Sequence, residues 1–345
     1  MPSKEVRPLK AVVKESSGPG FVIKDVPIPR LQPDEVLIKV ESAGICGTDI
    51  PIFDGVRKVP LPLIPGHEFS GVVVEAGHEV RGFRPGDGVA PGLVINCGRC
   101  WYCRQGLETL CDEIVEIGID IDGGFAEYVK VPAKQLHRIP AGMTFDEAAS
   151  VDPIASAYHG VKMAQVSSGD TVVVLGPGPI GLYALQIAKV EGAKKTVVVG
   201  TRESRLLVAK ELGADVLIML GKEDPVPIVH ELTDGRGADV VIEATGSPES
   251  IDLALSLARK AGRVHLLGIF HEPAKLSARA VVRKEANIKG SFCYTWQDFQ
   301  HCLDLLATKR VTVRPIVTHT FALEQMGEAL NTIKQRRGIK VLLHP

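Results

Sequence analysis

Cys97, Cys100, Cys103 and Cys111 carry the sharpest chemical signal in the chain, with two, two and seven residues between successive thiols. Four thiolates complete the tetrahedron that zinc prefers and leave no position for water, so such a cluster clamps a loop instead of reacting. An iron–sulfur cluster is the rival reading, because similar spacings also ligate iron. Two other segments set soft and borderline ligands near turns: G-I-C-G-T-D, with Cys46, Thr48 and Asp49, and P-G-H-E-F-S-G, with His67 and Glu68. Asp152 stands in the otherwise apolar stretch A-A-S-V-D-P-I-A-S-A-Y-H-G, where an unpaired carboxylate is costly. It calls for a helix cap, a cationic partner or a metal. Further along, G-P-G-P-I-G sets Gly176, Gly178 and Gly181, with Pro179 and Ile180 between the last two, in the spacing that cradles a dinucleotide pyrophosphate.

The elements that must hold these residues fall into two textures. Up to about Ala141 the chain shows short β-type runs broken by Pro and Gly, among them Leu9 to Lys14, Val36 to Val40 and Gly71 to Glu75. After Val166, apolar runs of strand length (Thr171 to Leu175, Thr196 to Val199, Asp239 to Glu243) alternate with helix-period segments. The first texture predicts an all-β domain and the second a parallel sheet covered by helices. The tail, a helix over Asp298 to Thr308, a strand over Thr318 to Phe321, a helix over Leu323 to Gln335 and a strand over Ile339 to Leu343, fits either domain by periodicity alone.

Composition narrows the classes. With 345 residues, 45% hydrophobic and 23% charged, the chain is long enough for two cores and too apolar for disorder. Forty Lys plus Arg against 41 Asp plus Glu leaves a formal charge of −1, which offers no field for a polyanion, so nucleic acid is not an expected partner. No apolar run approaches the roughly 20 residues of a membrane span, so no membrane association is expected. Seven cysteines are too few for a disulfide scaffold and fit reduced thiols in a cytoplasmic setting.

The strand after the glycine-rich turn ends Val199-Gly200-Thr201-Arg202. An NAD site normally carries an acid about twenty residues beyond the glycines, bonded to the ribose hydroxyl. Gly200 stands at that place, which removes repulsion against a 2′-phosphate, while Arg202 adds a bidentate donor with Thr201 and Arg205 close by. The pattern favours NADP. The alternative gives Glu203 the acid's role, or leaves Arg202 paired to it.

Gly66-His67-Glu68 followed by Gly71 and Gly77, together with the four-cysteine loop, makes the chain similar over essentially its whole length to the zinc-dependent medium-chain dehydrogenases/reductases, the alcohol and polyol dehydrogenase family. The resemblance implies a GroES-like β-barrel catalytic domain over 1–157 holding both zinc sites and a Rossmann cofactor domain over 158–293. A C-terminal segment, 294–345, would return to the first domain. It implies Cys46, His67 and Asp152 as ligands of a catalytic zinc, with Glu68 able to coordinate in turn and Asp49 orienting His67, and the four cysteines as ligands of a structural zinc. Three protein ligands leave one position open, for an alcohol oxygen, where the closed cluster leaves none.

By the same resemblance Thr48 starts a proton relay, Thr245 and Gly268 line the cofactor, and Lys340 approaches its phosphates. Where several relatives have His three positions after that hydroxyl, this chain has Pro51, so the relay is expected to pass through the cofactor ribose and water. Phe292 to Trp296 and the tail resemble the polyol branch, with Cys293 in place of the Arg that sorbitol-type enzymes carry there; Ile52, Phe53 and Tyr294 are apolar candidates for the substrate wall. The expected protein is thus a homo-oligomer, tetramer or dimer, with two zinc ions per chain. It would pass hydride between a secondary alcohol or polyol, or its ketone or aldehyde, and NADP(H). Alternatives are an NAD-linked polyol or L-threonine-type dehydrogenase and, from another class, a zinc-stabilised dinucleotide-binding sensor or structural protein without turnover.

Overall fold

In the computed structural model, which describes residues 8–345, two compact units separate. The first holds the chain up to Asp152 together with Phe299–Ala307 and Val317–Pro345; the second holds Pro153–Asp298 and Thr308–Ile316.

The first unit is built around the strand Glu35–Ile45, which pairs antiparallel with Glu68–Ala76, with Tyr128–Pro132 and with the C-terminal strand Lys340–His344. Register shifts between Leu37 and Ile38 and between Val40 and Ser42 bend this long strand, and such bulges let one strand serve several partners as a sheet curls. Val36, Ile38, Val40, Phe69, Val73, Val129, Val341 and Leu343 meet in one core. Burying each of these side chains contributes about 1.5–3 kcal/mol, so the last strand is tied down by packing as well as by its ladder. The final strand therefore belongs to the barrel.

Cysteines 97–111 lie in a lobe with little core of its own. Its two-residue strands, Val94–Ile95 and Val115–Glu116, pair antiparallel and flank the four-residue helix Trp101–Arg104, whose Trp101 is 64% exposed. A lobe that buries so little needs a staple.

In the second unit a six-stranded parallel sheet runs Val216–Met219, Lys195–Gly200, Thr171–Leu175, Ala238–Glu243, Ala258–Leu266, Asn287–Gly290, the 3-2-1-4-5-6 order of a Rossmann fold. Thr171–Leu175 is buried along its whole length, as a central parallel strand with helices on both faces must be. The excursion Thr308–Ile316 is fastened to this unit by Gln186, which accepts from the Thr312 amide at 2.9 Å and donates to its carbonyl at 3.1 Å. Among the described residues no helix is long and apolar enough to cross a membrane.

Candidate metal centre and dinucleotide site

Strand pairing assembles the first site. Glu68 opens the strand Glu68–Ala76 opposite Gly44, and Leu342 lies opposite Gly44 on the other side. A side chain at Gly44 would strike the Glu68 carboxylate and come within 2.9 Å of Lys340 Cε; glycine clears the space in which the two charged groups meet. Cys46 follows this strand, and Thr48 and Asp49 begin the short helix Asp49–Phe53. Pro51 falls in its first turn, where a missing amide costs nothing, and its carbonyl accepts from the amides of Val56 and Arg57 at 2.9 Å each.

The donor atoms of Cys46, His67 and Glu68 lie within 4.8 Å of one another, a group able to hold a metal ion. Asp152 is not one of that group. It lies buried in the first turn of the helix Val151–Met163, near enough that its charge acts on His67 and Lys340. Burial works against charge on His67, yet Cys46, Asp49 and Asp152 outweigh it and raise the imidazole to about 10. Burial also dominates at Asp49, pushed up to about 6 despite the opposing pull of His67. The Asp49 carboxylate spends one oxygen on the Cys46 amide, 2.8 Å away, while its other oxygen and His67 Nδ1 are buried without a hydrogen-bond partner. A buried concentration of acidic and thiolate donors with orphaned atoms fits a divalent cation. Thr48 Oγ1 is likewise buried and unpartnered.

Lys340, expected by resemblance to approach the cofactor phosphates, has its structural partners inside the first unit. Only 2% exposed, it pairs with Glu68 and donates to the Ile45 carbonyl at 3.0 Å. Burial opposes its charge, but Glu68, Cys46 and Asp152 hold the ammonium above its ordinary value. Sequence reasoning missed this partnership because only pairing between strands three hundred residues apart creates it; Gly44 was the one local hint. Ile52 is fully buried and Phe53 packs edge-on against Phe21, so both serve the core.

Cys97, Cys100, Cys103 and Cys111 likewise gather within 4.8 Å. Backbone amides aim at their sulfurs: Cys97 to Cys111 at 3.3 Å, Cys100 to Cys97 and Cys103 to Cys100 at 3.4 Å each. The amides of Cys103 and Asp112 lower the Cys100 thiol to about 6, whereas burial pushes Cys103 up to about 12. Amide donors converging on sulfur favour thiolate, the form that binds metal.

In the second unit each glycine of G-P-G-P-I-G has a separate task. Gly176 takes φ +95° at the turn, Gly178 faces open space from the start of the helix Pro179–Val190, and a side chain at Gly181 would strike the Gly176 carbonyl. Tight turn, ligand approach and close helix packing are the three needs of a pyrophosphate loop. Thr245 and Gly268 gather beside it around Glu243, a fully buried carboxylate that sequence reasoning passed over. Glu243 accepts from the Thr245 amide at 2.6 Å and the Gly246 amide at 3.1 Å, while the Gly268 amide bonds its carbonyl at 3.0 Å. Gly200 ends its strand, and Thr201, Arg202 and Arg205 follow at the start of the helix Glu203–Glu211.

A barrel with two clusters of metal-ligating side chains and a sheet with a dinucleotide loop define a metal-dependent dehydrogenase class. Residues 32–141 match the alcohol dehydrogenase GroES-like domain and residues 179–308 the zinc-binding dehydrogenase family. The chain is 38% identical over 343 residues to sorbitol dehydrogenase of Halalkalibacterium halodurans, covering 98% of this chain and 99% of the relative. It is 37% identical over 346 residues to L-threonine 3-dehydrogenase of Bacillus licheniformis, with the same coverage of each. A zinc-binding dehydrogenase structure from Sinorhizobium meliloti, bound to NADP, superposes with a TM-score of 0.92 at 34% identity, over 99% of this chain and 100% of that one. The chain belongs to the zinc-dependent medium-chain dehydrogenase family, and it is an alcohol or polyol dehydrogenase-type enzyme.

Proposed function

We propose that the protein is an NADP(H)-preferring dehydrogenase of a secondary alcohol or polyol, acting through one catalytic and one structural zinc per chain. The observation that carries the cofactor choice is Gly200: the strand ends without the acid an NAD ribose needs, and Arg202 and Arg205 follow. The NADP-bound relative from Sinorhizobium meliloti supports the same reading.

Cys46 and His67 would hold the catalytic zinc, with Glu68 or Asp152 completing the set, and the four clustered cysteines would hold the other. A zinc ion there supplies Lewis acidity toward an alcohol or carbonyl oxygen. The protein's own share is positional. Thr48 Oγ1, buried and unpartnered, is placed to accept a hydrogen bond from a substrate hydroxyl and to relay its proton by releasing its own toward the cofactor ribose and water, since Pro51 offers no side chain to pass it on. Lys340 anchors Glu68, leaving that carboxylate fixed beside Cys46 and His67.

Zinc content per chain, NADPH and NADH titrations, and turnover on a panel of polyols, secondary alcohols and L-threonine test this reading. Two zincs, tighter NADPH binding and turnover on a polyol or secondary alcohol are expected; tighter NADH binding with turnover of L-threonine alone would reverse it. Thr48→Ala is expected to lower kcat on the order of 10²-fold with cofactor affinity retained, and Thr48→Ser to restore it. A homo-oligomer in the cytoplasm completes the proposal, with sedimentation velocity as the check on assembly.

A further inference from the structure

The cradle around Gly200 leaves no room for a side chain. A Cβ added there would lie 2.6 Å from Pro177 Cγ and 2.7 Å from Pro177 Cδ, with Leu206 Cδ2 at 3.2 Å. Those first two approaches are closer than carbon atoms tolerate, and the obstacle is a rigid ring, not the loose end of a long side chain. Pro177 is itself buried and sits inside the glycine-rich turn, between Gly176, whose amide donates to Val199 at 2.9 Å, and Gly178, which caps the helix Pro179–Val190. The ring cannot retreat without moving the loop that cradles the pyrophosphate. Leu206, on the helix that Arg202 opens, closes the other side.

We propose that Pro177 is a determinant of dinucleotide choice: its ring occupies the room that any side chain at position 200 requires. The strand end therefore stays bare and suited to a 2′-phosphate, and no single substitution installs the ribose-binding acid. The inference rests on the cofactor reading above and adds to it a specificity residue inside the phosphate loop. Position 177 and position 200 act as one unit, and residues so joined give non-additive effects when changed.

The experiment is a double-mutant cycle on the full-length, zinc-loaded protein, with NADPH and NADH affinities from nucleotide fluorescence and thermal unfolding followed in parallel. Gly200→Ala, which adds no charge, is expected to weaken both nucleotides together by about tenfold or more through displacement of the loop, and Pro177→Ala in that background to recover most of the loss. Gly200→Asp alone is expected to lose both nucleotides, whereas Pro177→Ala with Gly200→Asp binds NADH and rejects NADPH. If a single variant at position 200 folds poorly, recovery of its unfolding temperature by Pro177→Ala reports the same coupling. The inference is overturned if Gly200→Ala binds NADPH as the parent does, if Gly200→Asp alone gains NADH, or if Pro177→Ala rescues neither binding nor stability. Failure of the parent cofactor reading is separate, since it shows in the unsubstituted protein as absent NADPH binding or as preference for NADH.

Discussion

Three residues remote in sequence share one small buried space: Gly44, Glu68 and Lys340. Removing the ammonium as Lys340→Met leaves Glu68 buried without its partner, and breaking such a pair typically costs about 3–5 kcal/mol. Chemical denaturation of the zinc-loaded protein is expected to show a loss of that order, and Glu68→Gln in the same background to return part of it, since the uncompensated charge is then gone. Gly44→Ala is expected to destabilise as well, because its methyl group meets the carboxylate and the lysine stem. An unchanged denaturation midpoint in Lys340→Met would show that the pair contributes nothing to stability.

Among the elements, the cysteine lobe depends most on something other than its own packing. The helix Trp101–Arg104 is one turn long, and its cap is the Cys100 sulfur, which accepts from the Cys103 amide. Isolated helices of this length are unstable in water, so a zinc ion held by the four cysteines, as proposed, would supply the order. Cys103→Ser is expected to reduce zinc content from two to one per chain by mass spectrometry. Amide exchange should then rise across residues 96–113 and stay unchanged in the strand Thr171–Leu175. Exchange rising equally in both would mean that the lobe is no separate unit. The helix Asp49–Phe53 contrasts with it. Although nearly as short, it is held by the buried Asp49 and Ile52 and by Lys14, whose ammonium bonds the Phe53 carbonyl at 3.0 Å, so it needs no ion for support.

At the scale of the whole molecule, each unit buries a histidine in neutral form. Burial lowers His137 to about 4; burial, aided by the charges of Lys289 and His159, lowers His265 to about 4. Both therefore stay neutral in the folded protein where the unfolded chain, with an ordinary value near 6.5, takes up protons. The contribution of these two histidines is complete above about pH 6.5 and is lost as pH falls toward 4, by roughly 3 kcal/mol per histidine once the drop is complete, a loss that Asp49, raised to about 6, offsets only in part. Asp298, held well below the usual carboxylate range by His159 and Lys162 against the effect of burial, withdraws its contribution only at lower pH. Unfolding midpoints recorded between pH 7 and 4 are expected to fall steadily, and less steeply in His265→Gln. A midpoint constant to pH 4.5 would contradict the assignment.

Much of this protein is written locally. The cysteine spacing, the glycine turn after an apolar strand and the shift from short β runs to α/β alternation each depend on neighbours within about thirty residues, so the fold class and the four-cysteine cluster were legible in the sequence, whereas Cys46, His67 and Glu68 could be joined there only through a family resemblance. Pairings that link distant strands were not. No local pattern states that residues 341 and 342 lie across from residues 45 and 44, the register that brings Lys340 against Glu68. Asp152 could be recognised as a costly buried carboxylate, yet its distance from His67 is set by how a helix start meets a barrel. Gly200 could be read as a missing acid, but only the tertiary structure brings the Pro177 ring to the place where that acid would stand. Spacing along the chain specifies which groups are available, whereas the packing of strands and loops far apart in sequence decides which of them touch.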